Sequence, residues 1–152
     1  MLQQVTTAAL LLTSAWACQG HCQCVPRPGQ RLQESFSSLA TVAGLPHPSG
    51  IELILKENGN RVEATLRDYA GESQPRESRL AGTIEEKKSG NMTVCEVDLN
   101  GANRSGAVKI HGTIRPMNFF GTIERRVGGD TYSEKVSLRR RMPQGAPNTG
   151  AL

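Results

Sequence analysis

The chain has 152 residues, of which 37% are hydrophobic and 21% are charged, and its formal net charge is +4. This length suits about one domain, and the balance is typical of a soluble globular protein, which excludes a polar disordered chain and a membrane-embedded one. The small basic excess favours solubility and a weak attraction to anionic surfaces without requiring a nucleic-acid partner. No catalytic or cofactor-binding motif stands out.

The N-terminal segment has the features of an export signal. Residues 5–17 carry no charge and end in Ala15-Trp16-Ala17, a small-x-small cleavage pattern. We therefore expect residues 1–17 to be a signal peptide, with a buried N-terminal helix as the alternative. Over residues 2–18 the sequence resembles a bacterial lipoprotein signal, which implies a lipid on Cys18 and anchoring at the outer membrane. Plain secretion into the periplasm or the extracellular medium stays open.

Residues 18–30 are predicted to form a cysteine-rich tail or linker. The four cysteines of the chain are Cys18, Cys22, Cys24 and Cys95, and they favour an oxidising compartment. A disulfide from Cys95 to Cys22 or Cys24 would hold the tail against the sheet. The alternative is a metal site whose candidate ligands are Cys18, His21, Cys22 and Cys24. We expect no metal there, because closed zinc sites pair two separated ligand groups and only one is present.

A single helix is predicted after the tail. Leu32, Phe36, Leu39 and Ala43 recur at helical spacing, and Gly44 could end a helix in a left-handed cap. The spacing predicts a helix over residues 31–43 that packs its apolar stripe on a sheet.

Strands are predicted over residues 51–141, where the apolar period changes to two. The alternating segments begin at Ile51 and continue as Arg61–Tyr69, Leu80–Glu86, Met92–Asn100, Ala107–Arg115, Phe119–Val127 and Thr131–Arg140. Short turns without intervening helices indicate antiparallel neighbours. The predicted fold class is all-β: a small antiparallel up-and-down barrel or two-layer sandwich of about seven strands with one N-terminal helix, in a single domain over residues 31–141. Residues 142–152 are predicted to form a disordered tail.

The tripeptide Gly-Thr-Ile recurs in three of the predicted strands. It occurs as Gly82-Thr83-Ile84, Gly112-Thr113-Ile114 and Gly121-Thr122-Ile123. A glycine in a strand marks a bend or a close backbone approach, so these positions could help to curl the sheet. The alternative is that Thr and Ile are simply favoured in strands.

By strand number and order alone, residues 51–141 resemble the lipocalin and calycin barrels. That resemblance rests on no sequence signature, and the tryptophan motif of those families is absent near the first strand. It implies a small apolar ligand held inside the barrel. The candidate ligand-binding residues are Leu53, Leu55, Leu66, Ile84, Ile114 and Val136.

No arrangement of catalytic side chains is apparent, so we predict no enzyme and no cofactor. Among the histidines, His111 alone lies in a predicted strand, with parity opposite to Ile110. No acid or serine pattern completes a catalytic triad around it. We therefore expect a solvated imidazole.

A basic patch is predicted on the final hairpin. Its members are Arg125, Arg126, Arg139, Arg140 and Arg141. They could bind an acidic partner, or they could protect an edge strand from aggregation. Nucleic acid is not expected, because aromatic residues are few and export would keep the chain away from it.

Two functions stay open at this point. One is an exported binding module for a small apolar ligand, attached to the membrane only through a lipid on Cys18. The other is an exported interaction protein with a filled core, which binds a macromolecular envelope partner through its loops or its basic final hairpin.

Overall fold

Residues 31–141 are described by a computed structural model and form a closed antiparallel barrel of eight strands. The strands are β1 (Arg31–Ser37), β2 (Ser49–Asn58), β3 (Arg61–Ala70), β4 (Arg76–Ser89), β5 (Met92–Asn103), β6 (Gly106–Ile114), β7 (Asn118–Val127) and β8 (Asp130–Arg141). Each strand pairs with the next, and β8 pairs with β1. Residues 1–30 and 142–152, with the predicted signal peptide, tail and C-terminal segment, lie outside the described residues. None of the described residues forms a helix with the length and hydrophobicity needed to span a bilayer.

The turn chemistry of the sequence explains the short connections. The β2–β3 and β4–β5 loops have two residues each, and their first residues, Gly59 and Gly90, have φ of 64° and 63°. A positive φ at the first loop position suits a tight hairpin whose twist matches its strands. At the β5–β6 turn, Asn103 Oδ1 accepts hydrogen bonds from the backbone N–H groups of Ser105 at 2.8 Å and Gly106 at 3.1 Å.

The predicted all-β meander is confirmed, and of the two predicted architectures the barrel is the one found. The seven predicted strands correspond to β2 through β8. The strand number is eight rather than seven, because β1 inserts between β2 and β8 and closes the sheet.

The predicted helix over residues 31–43 is not found, because Arg31–Ser37 forms β1. Leu32 and Phe36 are four residues apart, which suits one face of a helix and equally one face of a strand. The residue between them on that face is Glu34, a charged side chain at an inward position. This interruption of the apolar alternation hides the strand in the sequence.

The interior of the barrel is filled by its own side chains. One continuous cluster contains Phe36, Ile51, Leu53, Leu55, Val62, Ala64, Leu66, Leu80, Ile84, Cys95, Val97, Leu99, Val108, Ile110, Ile114, Phe119, Ile123 and Leu138. The rings of Phe36 and Phe119 lie 6.1 Å apart within it. A Cβ at Gly112 would lie 2.4 Å from the Phe119 ring, and one at Gly121 would lie 2.8 Å from it. Two of the three repeated Gly-Thr-Ile glycines therefore make room for this ring.

The meander places alternate connections at the same end of the barrel. At one end β1 begins, β8 finishes, and the β2–β3, β4–β5 and β6–β7 connections turn. We call this the lower end. The remaining connections turn at the opposite, upper end.

Candidate functional site

The predicted ligand-binding residues belong to the packed core. Leu53, Leu55, Leu66, Ile84 and Ile114 are buried, and Val136 packs against the same cluster. A cavity of about 590 Å³ is instead lined largely by outward-facing residues of β2 to β5, among them Ile54, Lys56 and Arg79. A second pocket, of about 690 Å³, opens at the lower end and is lined partly by the inward-facing Leu32, Glu57 and Val62. A ligand deeper inside the barrel would have to displace side chains of the core cluster.

The upper end is closed by polar side chains that point inward. Arg125 of β7 donates hydrogen bonds to Asp68 of β3 at 3.1 Å and to Glu134 of β8 at 2.9 Å. Asn103 donates to Ser78 Oγ at 3.0 Å. The cavity that these side chains help to line has a volume of only about 90 Å³. Arg125 therefore bridges strands across the upper mouth of the barrel, and its guanidinium is not extended into solvent.

A second polar cluster lies inside the barrel near the lower end. Arg140 pairs with Glu34, and its guanidinium lies 5.0 Å from the centre of the Phe36 ring. Glu57 is only 2% exposed, and its Oε2 atom has no hydrogen-bond partner among the described residues. Burial raises the pKa of Glu57 to about 7; the negative charge of Glu34 adds to the increase, and Arg140 opposes it. The cluster therefore holds a carboxyl group that titrates near neutral pH.

The structure divides the predicted basic patch into three groups. Arg125 and Arg140 point into the barrel and are paired with carboxylates. Arg126 is exposed near the upper end, opposite Thr131. Arg139 and Arg141 are exposed toward the lower end, where Arg141 Nε donates to Ser37 Oγ at 2.7 Å. The five arginines therefore do not form one surface.

A larger basic surface lies around the lower end. Its exposed members, which we call the lower rim, are Arg61, Lys87, Lys88, Arg115, Arg139 and Arg141. Arg115 lies in the β6–β7 connection, and the others lie at or near the lower ends of β3, β4 and β8. Residues 58–61, 87–92, 115–118 and 139–141 contain no Asp or Glu. At the upper end the acidic residues Glu72 and Asp130 instead lie among the exposed basic residues Arg76, Arg104 and Arg126.

The individual pairings of the lower rim leave most of its charge open to solvent. Lys87 forms an ion pair with Glu96. The Arg115 guanidinium lies 5.4 Å from the centre of the Phe120 ring. Among the described residues, no carboxylate lies within ion-pair distance of the other rim members. An anion could therefore reach these groups without first breaking a buried contact.

Sequence reasoning missed four members of the lower rim. Arg61, Lys87, Lys88 and Arg115 are separated along the chain, so they do not form a charge run. The predicted topology already contained the information needed to group them, because alternate connections of a meander lie at the same end of the sheet. Assigning each charged turn to an end would have grouped them.

His111 lies on the outer face, as its parity predicts, and it has an acidic neighbour that was not anticipated. Its Nδ1 hydrogen-bonds to Asp98 Oδ1 at 2.6 Å, because the β5–β6 register places the two residues opposite each other. Both side chains are more than half exposed. No hydroxyl hydrogen-bonds to His111 within residues 31–141, so the pair lacks the nucleophile that a catalytic triad requires.

The metal candidates Cys18, His21 and Cys22, together with Cys24, lie outside the described residues. Within the part of the chain that is described, no group of three His, Cys, Asp or Glu side chains is arranged to hold a metal ion. Cys95 is buried at an inward position of β5, three residues after the strand begins at the lower end.

Comparison with known proteins gives no relative. No protein family, no curated protein and no solved structure matches the chain.

Proposed function

We propose that this protein is an exported interaction protein that binds an anionic partner through the lower rim. The observation that carries the proposal is the grouping of six exposed basic residues around the lower end, five of them near strand ends and one in the β6–β7 connection. Basic groups concentrated in this way create a positive potential that attracts and orients an anionic partner.

The filled interior favours this function over an apolar-ligand carrier. Ligand sites inside proteins are largely preformed cavities, whereas the candidate residues Leu53 and Leu55 pack within the continuous core. Arg125 bridges one mouth of the barrel, and Arg140 and Glu34 occupy the interior near the other. A partner could therefore bind the outer surface without displacing interior side chains.

Charge reversal with a matched control tests the proposal. The variant Arg115→Glu/Arg139→Glu alters the lower rim, and Arg104→Glu/Arg126→Glu changes the net charge equally near the upper end. On a phosphocellulose or heparin column we expect the lower-rim variant to elute at much lower salt than the control. Equal elution of the two variants would show that net charge alone governs binding, and it would overturn the proposal.

Export is part of the proposal, and its support is the uncharged segment 5–17 with its cleavage pattern. The mass of the protein purified from its host tests it: a chain that begins at Cys18 is expected, and added acyl mass identifies a lipid anchor. An unprocessed chain would contradict export.

A disulfide from Cys95 to Cys22 or Cys24 also belongs to the proposal. The chain joins β1 at the lower end, and Cys95 points into the barrel near that end. Alkylation in denaturant without reductant should leave Cys95 unmodified, and digestion should yield a linked peptide pair. Alkylation of Cys95 under these conditions would contradict the pairing.

A further inference from the structure

Two methionines lie exposed among the basic groups of the lower end. Met92 is 57% exposed beside the β4–β5 turn, and Met117 is 54% exposed in the β6–β7 connection. Phe120 is also exposed on the outer face of β7, close to Arg115. The lower end therefore combines apolar side chains at its tips with the cations of the lower rim.

This combination fits a membrane surface better than a purely polar anion. Apolar side chains can enter the boundary between headgroups and acyl chains, while neighbouring Lys and Arg side chains remain among anionic headgroups. A soluble polyanion would engage the cations but would offer nothing for the exposed methionines to bury against. The upper end also exposes apolar residues, such as Val127 at 45%, but there the acidic residues Glu72 and Asp130 lie among the basic ones.

The direction of the chain gives a second argument. β1 begins at the lower end, so the segment that contains Cys18 joins the barrel there. Twelve residues separate Cys18 from Arg31, so the two are at most about 45 Å apart when the segment is fully extended. A lipid on Cys18 would therefore keep the barrel close to a bilayer and would attach it at the end that carries the lower rim.

From these observations we infer that the lower end docks on a bilayer surface containing anionic phospholipid, with Met92 and Met117 entering the interface and the lower rim contacting the headgroups. The inference rests on the proposed function, because the same basic groups supply the attraction. It adds the chemical class of the partner and the two apolar contacts.

The test uses the full chain carrying Cys18→Ser, so that no lipid can be attached to it. Co-sedimentation is measured with vesicles of phosphatidylcholine alone and of phosphatidylcholine mixed with phosphatidylglycerol. We expect binding to the mixed vesicles that weakens with salt, and at least tenfold weaker binding to the neutral ones. Adding Met92→Ser/Met117→Ser should reduce binding to the mixed vesicles at least fivefold, whereas adding the upper-end change Val127→Ser should not.

The outcomes separate this inference from the proposed function. Retention on heparin without vesicle binding would overturn the membrane inference and leave the proposed function standing. Absence of binding to both would overturn both. Equal vesicle binding by the methionine variant and its control would overturn the assignment of Met92 and Met117 to the interface. Circular dichroism of each variant confirms that it has kept the barrel fold.

Discussion

Arg140 and Glu34 form an ion pair inside the barrel, at the seam where the last strand meets the first. The two residues are 106 positions apart in the chain. The charges of Glu34 and Arg140 both affect the pKa of Glu57. Because an unpaired charge in a protein interior is costly, this pair favours the register that closes the barrel.

Glu57 should make the stability of the barrel depend on pH. Its pKa is about 7 in the folded protein against an ordinary value of 4.5, so the folded state binds the proton more tightly. The free energy of unfolding should therefore fall as pH rises from about 4.5 to 7, by up to about 3 kcal/mol, and then level off. Urea titrations of the wild type and of Glu57→Gln across this range measure the change.

In the Glu57→Gln variant this part of the pH dependence should disappear. Glu63→Gln on the exposed face of β3 provides the control and should retain the slope of the wild type. A Glu57→Gln variant that loses stability over this pH range as steeply as the wild type would show that another group titrates.

Replacement of Arg125 should destabilise the barrel more than replacement of its neighbour. Arg125→Ala removes the bonds to Asp68 and Glu134 and leaves these carboxylates facing each other across the upper mouth. We expect a loss of about 1–3 kcal/mol, measured by chemical denaturation. Arg126→Ala removes an exposed side chain and should change the free energy of unfolding by less than about 0.5 kcal/mol. Similar losses in the two variants would argue against a closing role for Arg125.

Gly112 should tolerate no side chain. A Cβ at this position would lie 2.4 Å from the Phe119 ring and 2.6 Å from the carbonyl oxygen of Phe120. Gly112→Ala should therefore cost about 1–3 kcal/mol or more through displacement of the ring and backbone. Gly129→Ala is the control, because nothing lies within 4 Å of the added Cβ. Thermal unfolding of the two variants compares them, and an unchanged melting temperature for Gly112→Ala would contradict the packing.

Uncharged lipids such as sterols and isoprenoid alcohols should not stabilise the protein. A ligand that binds the folded state raises the melting temperature with concentration, and the continuous core would have to be displaced by a ligand that entered it. Leu53→Ala should cost about 2–5 kcal/mol, as expected for a core side chain. A concentration-dependent rise in melting temperature with any of these lipids would favour the apolar-ligand function over the proposed one.

Much of the fold could be predicted because its determinants are local. The alternation in Val62, Ala64 and Leu66 reports a strand with one buried face, and Gly59 and Gly90 mark the hairpin turns that join such strands. These patterns identified seven strands and their antiparallel order. The outward position of His111 followed from its parity in the same way.

The candidate site was less accessible to sequence reasoning. Arg125 and Arg126 are adjacent, yet Arg125 points into the barrel toward Asp68 and Arg126 points to solvent. Which of the two faces inward depends on how β7 is placed in the sheet. Arg61 and Arg115 belong to one surface although more than fifty residues separate them. Only the arrangement of strands around the barrel brings such groups together.

Local sequence patterns predict the all-β meander, its turns and the apolar face of each strand after residue 50, because propensity and alternation act between near neighbours. The tertiary structure alone decided that Arg31–Ser37 is a strand, that the barrel closes and is filled, and which charges form the lower rim. The position of β1 depends on long-range pairing with β2 and β8, including the ion pair of Glu34 with Arg140. An inward charge interrupts the local pattern, and its partner exists only once the two ends of the sheet have met.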